Sequence, residues 1–191
     1  MSTDYFSLLG LPRQAALDEE ALTQAHHAAG RSLQAAAAPD AAASMQLNEA
    51  RDVLSQPDSR LRHLLELESA DGEAAWRTVP LPEELMGLFL QLGPLLQEVD
   101  AFAKKKQAAS SALARALLAG EEMRLRERVE DLAPALEAAW QPLIAELTQI
   151  DALRAQAAPD ALERMALLSA RMAYLRRWSS QQREAFMKLA T

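Results

Sequence analysis

The chain contains no cysteine, only six glycines, four valines and two isoleucines, and aromatic residues make up 5% of it. Without thiols there is no disulfide, no thiolate metal site, no cysteine-held iron-sulfur cluster and no cysteine nucleophile. The shortage of branched apolar residues, which fill pleated strands, excludes a substantial β-sheet. The few glycines form no phosphate-binding loop, so a nucleotide site is not expected. Basic residues are outnumbered, with 20 Lys and Arg against 27 Asp and Glu and a net charge of −7. That balance argues against a general binder of nucleic-acid backbones, which depends on clustered Lys and Arg. No stretch reaches the roughly 18 apolar residues that a membrane span requires. The most apolar one, residues 81–96, is interrupted by Glu83, Glu84, Gln91 and Pro94 and reads as an amphipathic or buried helix. The opening MSTDYFSLLG has neither a basic region followed by an apolar run nor an Arg-rich amphipathic pattern, so a cytoplasmic location is expected.

What the chain does have is helix formers: 40 Ala and 33 Leu among 191 residues. The length suits one ordinary domain or two small ones. Thr3 or Asp4 can cap a short helix carrying Tyr5, Phe6, Leu8 and Leu9, which Gly10 and Pro12 end. Asp18 can cap a second helix through Ala21, Leu22, Ala25, Ala29 and Leu33, with Glu19 and Glu20 at the positive end of its dipole. After the low-complexity AAAAPDAAA, a third helix carries Met45, Leu47, Ala50, Val53 and Leu54, and Asp58 or Ser59 can cap a fourth. The segment SADGEAAWRTVPLP, with Gly72, Pro80 and Pro82, marks a boundary.

Beyond it the helices lengthen. Pro82 suits the first turn of a helix along which Leu85, Leu88, Phe89, Leu92, Leu95, Leu96, Val99 and Phe102 recur, with a kink expected at Gly93-Pro94. Residues 101–120 either extend that helix or turn separately before Gly120, and Lys104–Lys106 read as a solvated patch. A helix from Glu121 to about Ala155 turns Val129, Leu132, Leu136, Trp140, Leu143, Leu147 and Ile150 inward, with Pro134 and Pro142 expected to bend or break it. Asp160 and Glu163 have capping-box spacing for a last helix lined by Leu162, Met165, Leu168, Met172, Leu175, Phe186 and Leu189. Three long helices with short connections predict an antiparallel bundle.

Catalytic groups are hard to find. His26 and His27 diverge by about 100° on a helix and cannot both face one metal, so they and His63 read as surface or packing histidines. The carboxylates are spread along helices without a paired partner for acid–base work. The chain reads as a protein-binding rather than an enzymatic one, with no metal and no cofactor called for.

The segments DYFSLLGLP, LDEEALTQAHHAAGRSLQ and QLNEARDVLSQPDSRLRHLLEL resemble, in this order, a J-domain of the HscB type, the co-chaperone of iron-sulfur cluster assembly. Tyr5, Phe6, Leu8, Gly10, Leu11 and Pro12 reproduce the family's "YFxLxGLP", and Leu17-Asp18 its "LD". Leu47, Asn48, Ala50, Leu54, Pro57, Arg60, Leu64 and Leu65 fall in register with "INxAxxxLxxPxxRAxYLL", His63 taking the place of its tyrosine. In such domains His-Pro-Asp after the second helix, with basic residues on that helix, engages a DnaK-type ATPase. Here Gln34, Ala35 and Ala36 occupy that place, and Arg31 is the basic residue of the helix. The resemblance implies a degenerate J-domain whose ATPase stimulation is lost or weak.

LMGLFLQLGPLL and ARMAYLRRWSS are similar to the first and last helices of the family's scaffold-binding bundle. Leu85, Met86, Phe89 and Tyr174 are then expected to form an apolar docking patch with Trp178 at its edge. The expected fold is all-α, a J-domain-like helical hairpin (residues 1–70), a linker (71–82) and an antiparallel three-helix bundle (83–191). The resemblance implies a non-enzymatic co-chaperone or adaptor. Its partners would be an iron-sulfur scaffold or other protein client and a DnaK- or HscA-type chaperone, with no nucleic acid and no membrane. The alternative reading is a divergent helical interaction module outside iron-sulfur and chaperone work.

Overall fold

A computed structural model describes residues 3–35, 41–69, 80 and 82–190, and the described residues form seven helices and no strand. These are α1 (Tyr5–Leu9), α2 (Glu19–Gln34), α3 (Ala41–Ser55), α4 (Pro57–Glu68), α5 (Glu83–Ala108), α6 (Ala112–Ala155) and α7 (Ala161–Ala190). The all-α fold follows from the composition.

Local chemistry sets most helix ends. The Asp4 carboxylate accepts the amide hydrogens of Phe6 and Ser7 at the start of α1. Gly10 closes that helix at φ 66°, a left-handed conformation open to a residue without Cβ. Asp18 caps α2 by accepting from Glu20 and Ala21. The start of α4 differs from expectation: Pro57 is its first residue, and Asp58 lies fully buried within the first turn instead of capping it. Pro82 likewise sits just before α5 rather than inside it.

The prolines within helices do not end them. α5 runs unbroken through Gly93-Pro94, and α6 through Gly120, Pro134 and Pro142. All three prolines are exposed, where water can satisfy the carbonyl left without an N–H partner. Residues 101–120 therefore divide between the last turns of α5 and the first turns of α6. The Ser111 hydroxyl accepts the Ala114 amide hydrogen at that new start.

The chain forms two compact units. The first comprises Met1–Val79 and Leu143–Ala173. Within it α2 packs on α3, α1 on both, and α3 on α4. Its core includes Phe6, Leu54, Leu61, Leu64, Leu65 and Met165, all at most 1% exposed. Of the apolar residues expected inside α2 only Leu22 is buried, and Met45 on α3 is exposed.

The second unit comprises Pro80–Pro142 and Tyr174–Thr191, in which α6 runs antiparallel to α5, Glu98 pairing with Arg128 and Lys105 with Glu121, while the end of α7 runs in the same direction as α5. Leu85, Leu92, Leu95, Val99 and Phe102 are its buried stripe on α5, at the spacing of one helix face. Gln182 of α7 donates to the Val129 carbonyl of α6 at 2.9 Å, and Lys188 of α7 pairs with Asp100 of α5 at 3.0 Å. Trp140 and Phe186 of this unit and Leu162 of the first, all read as inward, are half-buried.

Candidate functional site

On α5 the buried stripe leaves Met86, Phe89 and Leu90 on the other side of the helix, 40%, 47% and 63% exposed. The Phe89 ring centre lies 6.1 Å from that of Trp178 on α7, and Tyr174, one turn earlier, lies 5.9 Å from the same indole. Trp178 is 5% exposed, so a buried indole carries two more accessible rings. The cluster joins Phe89 to two rings that lie 85 and 89 positions further along the sequence.

The residues expected at this patch take different places. Phe89, Tyr174 and Trp178 come together, with Met86 exposed on the same helix as Phe89. Leu85 is in the core at 3% exposure, because it falls on the stripe of Leu92, Val99 and Phe102. Trp178 supports the patch from beneath. Leu90 was not expected there, although its position outside the core stripe is visible in the sequence. Such a face suits the apolar anchors of a protein partner.

At the end of α2, Arg31, Gln34 and Ala35 are exposed. Gln34 is the last helical residue and the Ala35 amide donates to the Arg31 carbonyl at 3.0 Å. Ala36, with Pro39 and Asp40, lies outside the described residues. A surface groove of about 370 Å³ runs along α2 and α3, lined by His26, His27, Arg31, Leu47 and Asn48 among others. His26 Nε2 lies 3.1 Å from the Asn48 side-chain oxygen. Among the described residues no group of three or more His, Asp or Glu could hold a metal ion, and no helix is long and apolar enough to cross a membrane.

Polar groups hold the first unit together. His63 accepts the free first amide hydrogen of α1, Tyr5 N–H, at 3.1 Å, and its ring stacks on Phe6. Burial lowers its pKa, and this outweighs the opposing pull of Glu66 and Asp4. The Tyr5 hydroxyl is pushed up to about 12 by burial and by its hydrogen bond to Glu49. For Asp4, burial opposes ionisation, but hydrogen bonds from Ser7 and Arg13 prevail and hold the carboxyl at about 2. Arg60, 4% exposed, donates to the carbonyls of Ala15 and Leu54. Asp151 accepts the amide hydrogens of Ala15 and Ala16 at 2.7 and 2.8 Å and pairs with Arg154, which also binds Glu68.

The chain is similar to a co-chaperone protein HscB homolog from Azoarcus sp. (strain BH72), with 39% identity over 99 residues, or 45% of this chain and 54% of that protein. The chain thus spans about half the length of the curated relative it matches. No protein-family model matches the chain, and no solved structure matches it.

Proposed function

From that similarity we propose that the chain is an HscB-like co-chaperone adaptor of iron-sulfur cluster assembly, working in the cytoplasm without a catalytic step of its own. It docks a scaffold or client protein on Met86, Phe89, Leu90 and Tyr174. The observation that carries this reading is the aromatic cluster, in which buried Trp178 supports Phe89 and Tyr174 beside exposed Met86 and Leu90. Such a cluster supplies apolar area on rigid side chains, the usual make-up of a binding hot spot. With no cysteine in the chain, any cluster is held by the partner.

The J-like part is degenerate, and its stimulation of a DnaK- or HscA-type ATPase is lost or weak. Gln34, Ala35 and Ala36 stand where His-Pro-Asp is needed, and Arg31 is the sole Lys or Arg of α2. A docking face with so little positive charge steers a partner poorly.

Two measurements test this. Calorimetric titration with a purified iron-sulfur scaffold protein should show binding that Phe89→Ser with Tyr174→Ala weakens at least about tenfold. Chaperone ATPase turnover should stay near its basal rate with the unaltered chain and rise when Gln34→His, Ala35→Pro and Ala36→Asp are introduced together. No binding by any scaffold would favour the alternative, a helical interaction module with a different client. Strong stimulation by the unaltered chain would refute the loss of J function.

A further inference from the structure

A groove of the second unit, between α5 and α6, has no part in that reading. Its volume is about 420 Å³, and each helix turns one face into it through residues three and four positions apart. Glu98 of α5 pairs with Arg128 of α6 at one end, and Lys105 of α5 pairs with Glu121 of α6 at 2.6 Å at the other. Seven positions separate the two pairs on each helix, about 10 Å at the usual rise. Between them Phe102 and Leu125, 2% and 5% exposed, form an apolar floor. Arg124 lines the same stretch. Its Nε donates to the Gly120 carbonyl one turn earlier at 3.2 Å, and among the described residues no carboxylate pairs with it. Three cations against two carboxylates leave the groove with one positive charge, in a protein of net charge −7.

We infer that this groove binds a small monocarboxylate with a short apolar chain. The chain lies on Phe102 and Leu125 between the aliphatic stems of Lys105 and Arg128. The carboxylate accepts from the two Nη groups of Arg124, whose planar fork matches it. Charge and size select this ligand. One negative charge neutralises the groove, whereas a phosphate monoester, at about −1.5 to −2, would set its excess against Glu98 and Glu121. The volume falls in the range of small-molecule sites. A helix of a partner protein, about 10–12 Å across with its side chains, is too wide to sit between the two ion pairs that close the ends. The groove and the Phe89 face have no lining residue in common, so this inference stands apart from the co-chaperone reading.

The test titrates the full chain with sodium octanoate in a calorimeter, below the concentration at which octanoate forms micelles. The heats should describe one saturable site that weakens with added salt. Octanol and octyl phosphate should each bind at least about tenfold more weakly than octanoate. Arg124→Gln should reduce octanoate affinity at least about tenfold, while Arg115→Gln, at an arginine outside the groove, leaves it unchanged. Both arginines are exposed, and circular dichroism verifies that the variants keep their helices. The inference is overturned if octanoate does not saturate the chain, if Arg124→Gln binds like the parent, or if octanol binds as well as octanoate. It is equally overturned if octyl phosphate binds more tightly, if Phe89→Ser abolishes binding and so places the ligand on the aromatic face, or if light scattering shows a dimer that Arg124→Gln dissolves.

Discussion

The Asp151 carboxylate near the end of α6 accepts the Ala15 amide hydrogen at 2.7 Å, across 136 positions of sequence. Its second oxygen takes the Ala16 amide at 2.8 Å, and Arg60 holds the Ala15 carbonyl from the other side. Ala15 is fully buried, so its amide has no alternative in water. Asp151→Ala should therefore cost about 2 kcal/mol, chiefly the penalty of the buried Ala15 donor left unsatisfied. Asp151→Asn keeps one acceptor oxygen and should cost roughly half as much. Urea unfolding of the two variants beside the parent provides the measurement.

His63 makes the first unit sensitive to acid. It accepts the Tyr5 amide hydrogen, which only an unprotonated Nε2 can do, and burial lowers its pKa. Glu66, Asp4 and Arg13 also face it, the two carboxylates opposing that shift and Arg13 reinforcing it. A depressed pKa means that the folded state binds the proton less readily than the unfolded one. The stabilisation is thus complete above the ordinary histidine value of about 6.5 and is lost as pH falls through the lower folded value. His63→Phe keeps a ring against Phe6 but removes the acceptor. It should cost about 1 kcal/mol at pH 7 and flatten the decline in stability below pH 6.5, as read from denaturant midpoints across that range.

Asp4 titrates lower. Because its carboxyl is held at about 2, its capping contribution is present above the ordinary aspartate range and fades as pH falls from about 4 to about 2. Asp4→Ala should cost about 1 kcal/mol at pH 7, the usual worth of an N-cap. The gap between parent and variant should shrink as pH falls through about 2, which thermal melts at pH 7 and at successive values down to about pH 1.5 would reveal.

Short-range signals were the legible ones. The caps Asp4 and Asp18, the left-handed Gly10 and the spacing of Leu92, Leu95, Val99 and Phe102 all act within a turn or two, and the helices follow them. Pro134 and Pro142 do not break α6, because a proline is carried within a helix when its ring is solvent-facing and the helix is packed elsewhere. Arg60 and Asp151 look like surface charges in a helical pattern. Their partners lie 45 and 136 positions away, and no periodicity encodes such pairs. At the candidate site, Phe89 and Tyr174 could be picked out as apolar residues off the main stripes. The depth of Leu85 and Trp178 depends on which side of each helix meets its neighbour.

One residue is in a conformation that its type disfavours. Ala157, just beyond α6, has φ 52°, while the Ala158 amide donates back to the Leu153 carbonyl at 3.0 Å. Helix ends of this kind prefer glycine because a Cβ crowds the following carbonyl. Ala157→Gly relieves that strain while loosening the unfolded chain, and the net gain should be about 0.5 kcal/mol. A thermal unfolding midpoint higher by about 1–2 °C would register it.

The aromatic face separates binding from folding by residue. Phe89 is 47% exposed and rests on an indole that is only 5% exposed. Phe89→Ser removes mostly solvent-facing area and should change stability by less than about 1 kcal/mol. Trp178→Ala empties a buried site beneath Phe89 and Tyr174 and should cost about 3–5 kcal/mol. Leu85→Arg places a charge in the core stripe and should unfold the second unit rather than report on docking. If Phe89→Ser proves as destabilising as Trp178→Ala in urea titrations, the Phe89 ring is core, and a docking role for this face fails whatever partner is offered to it.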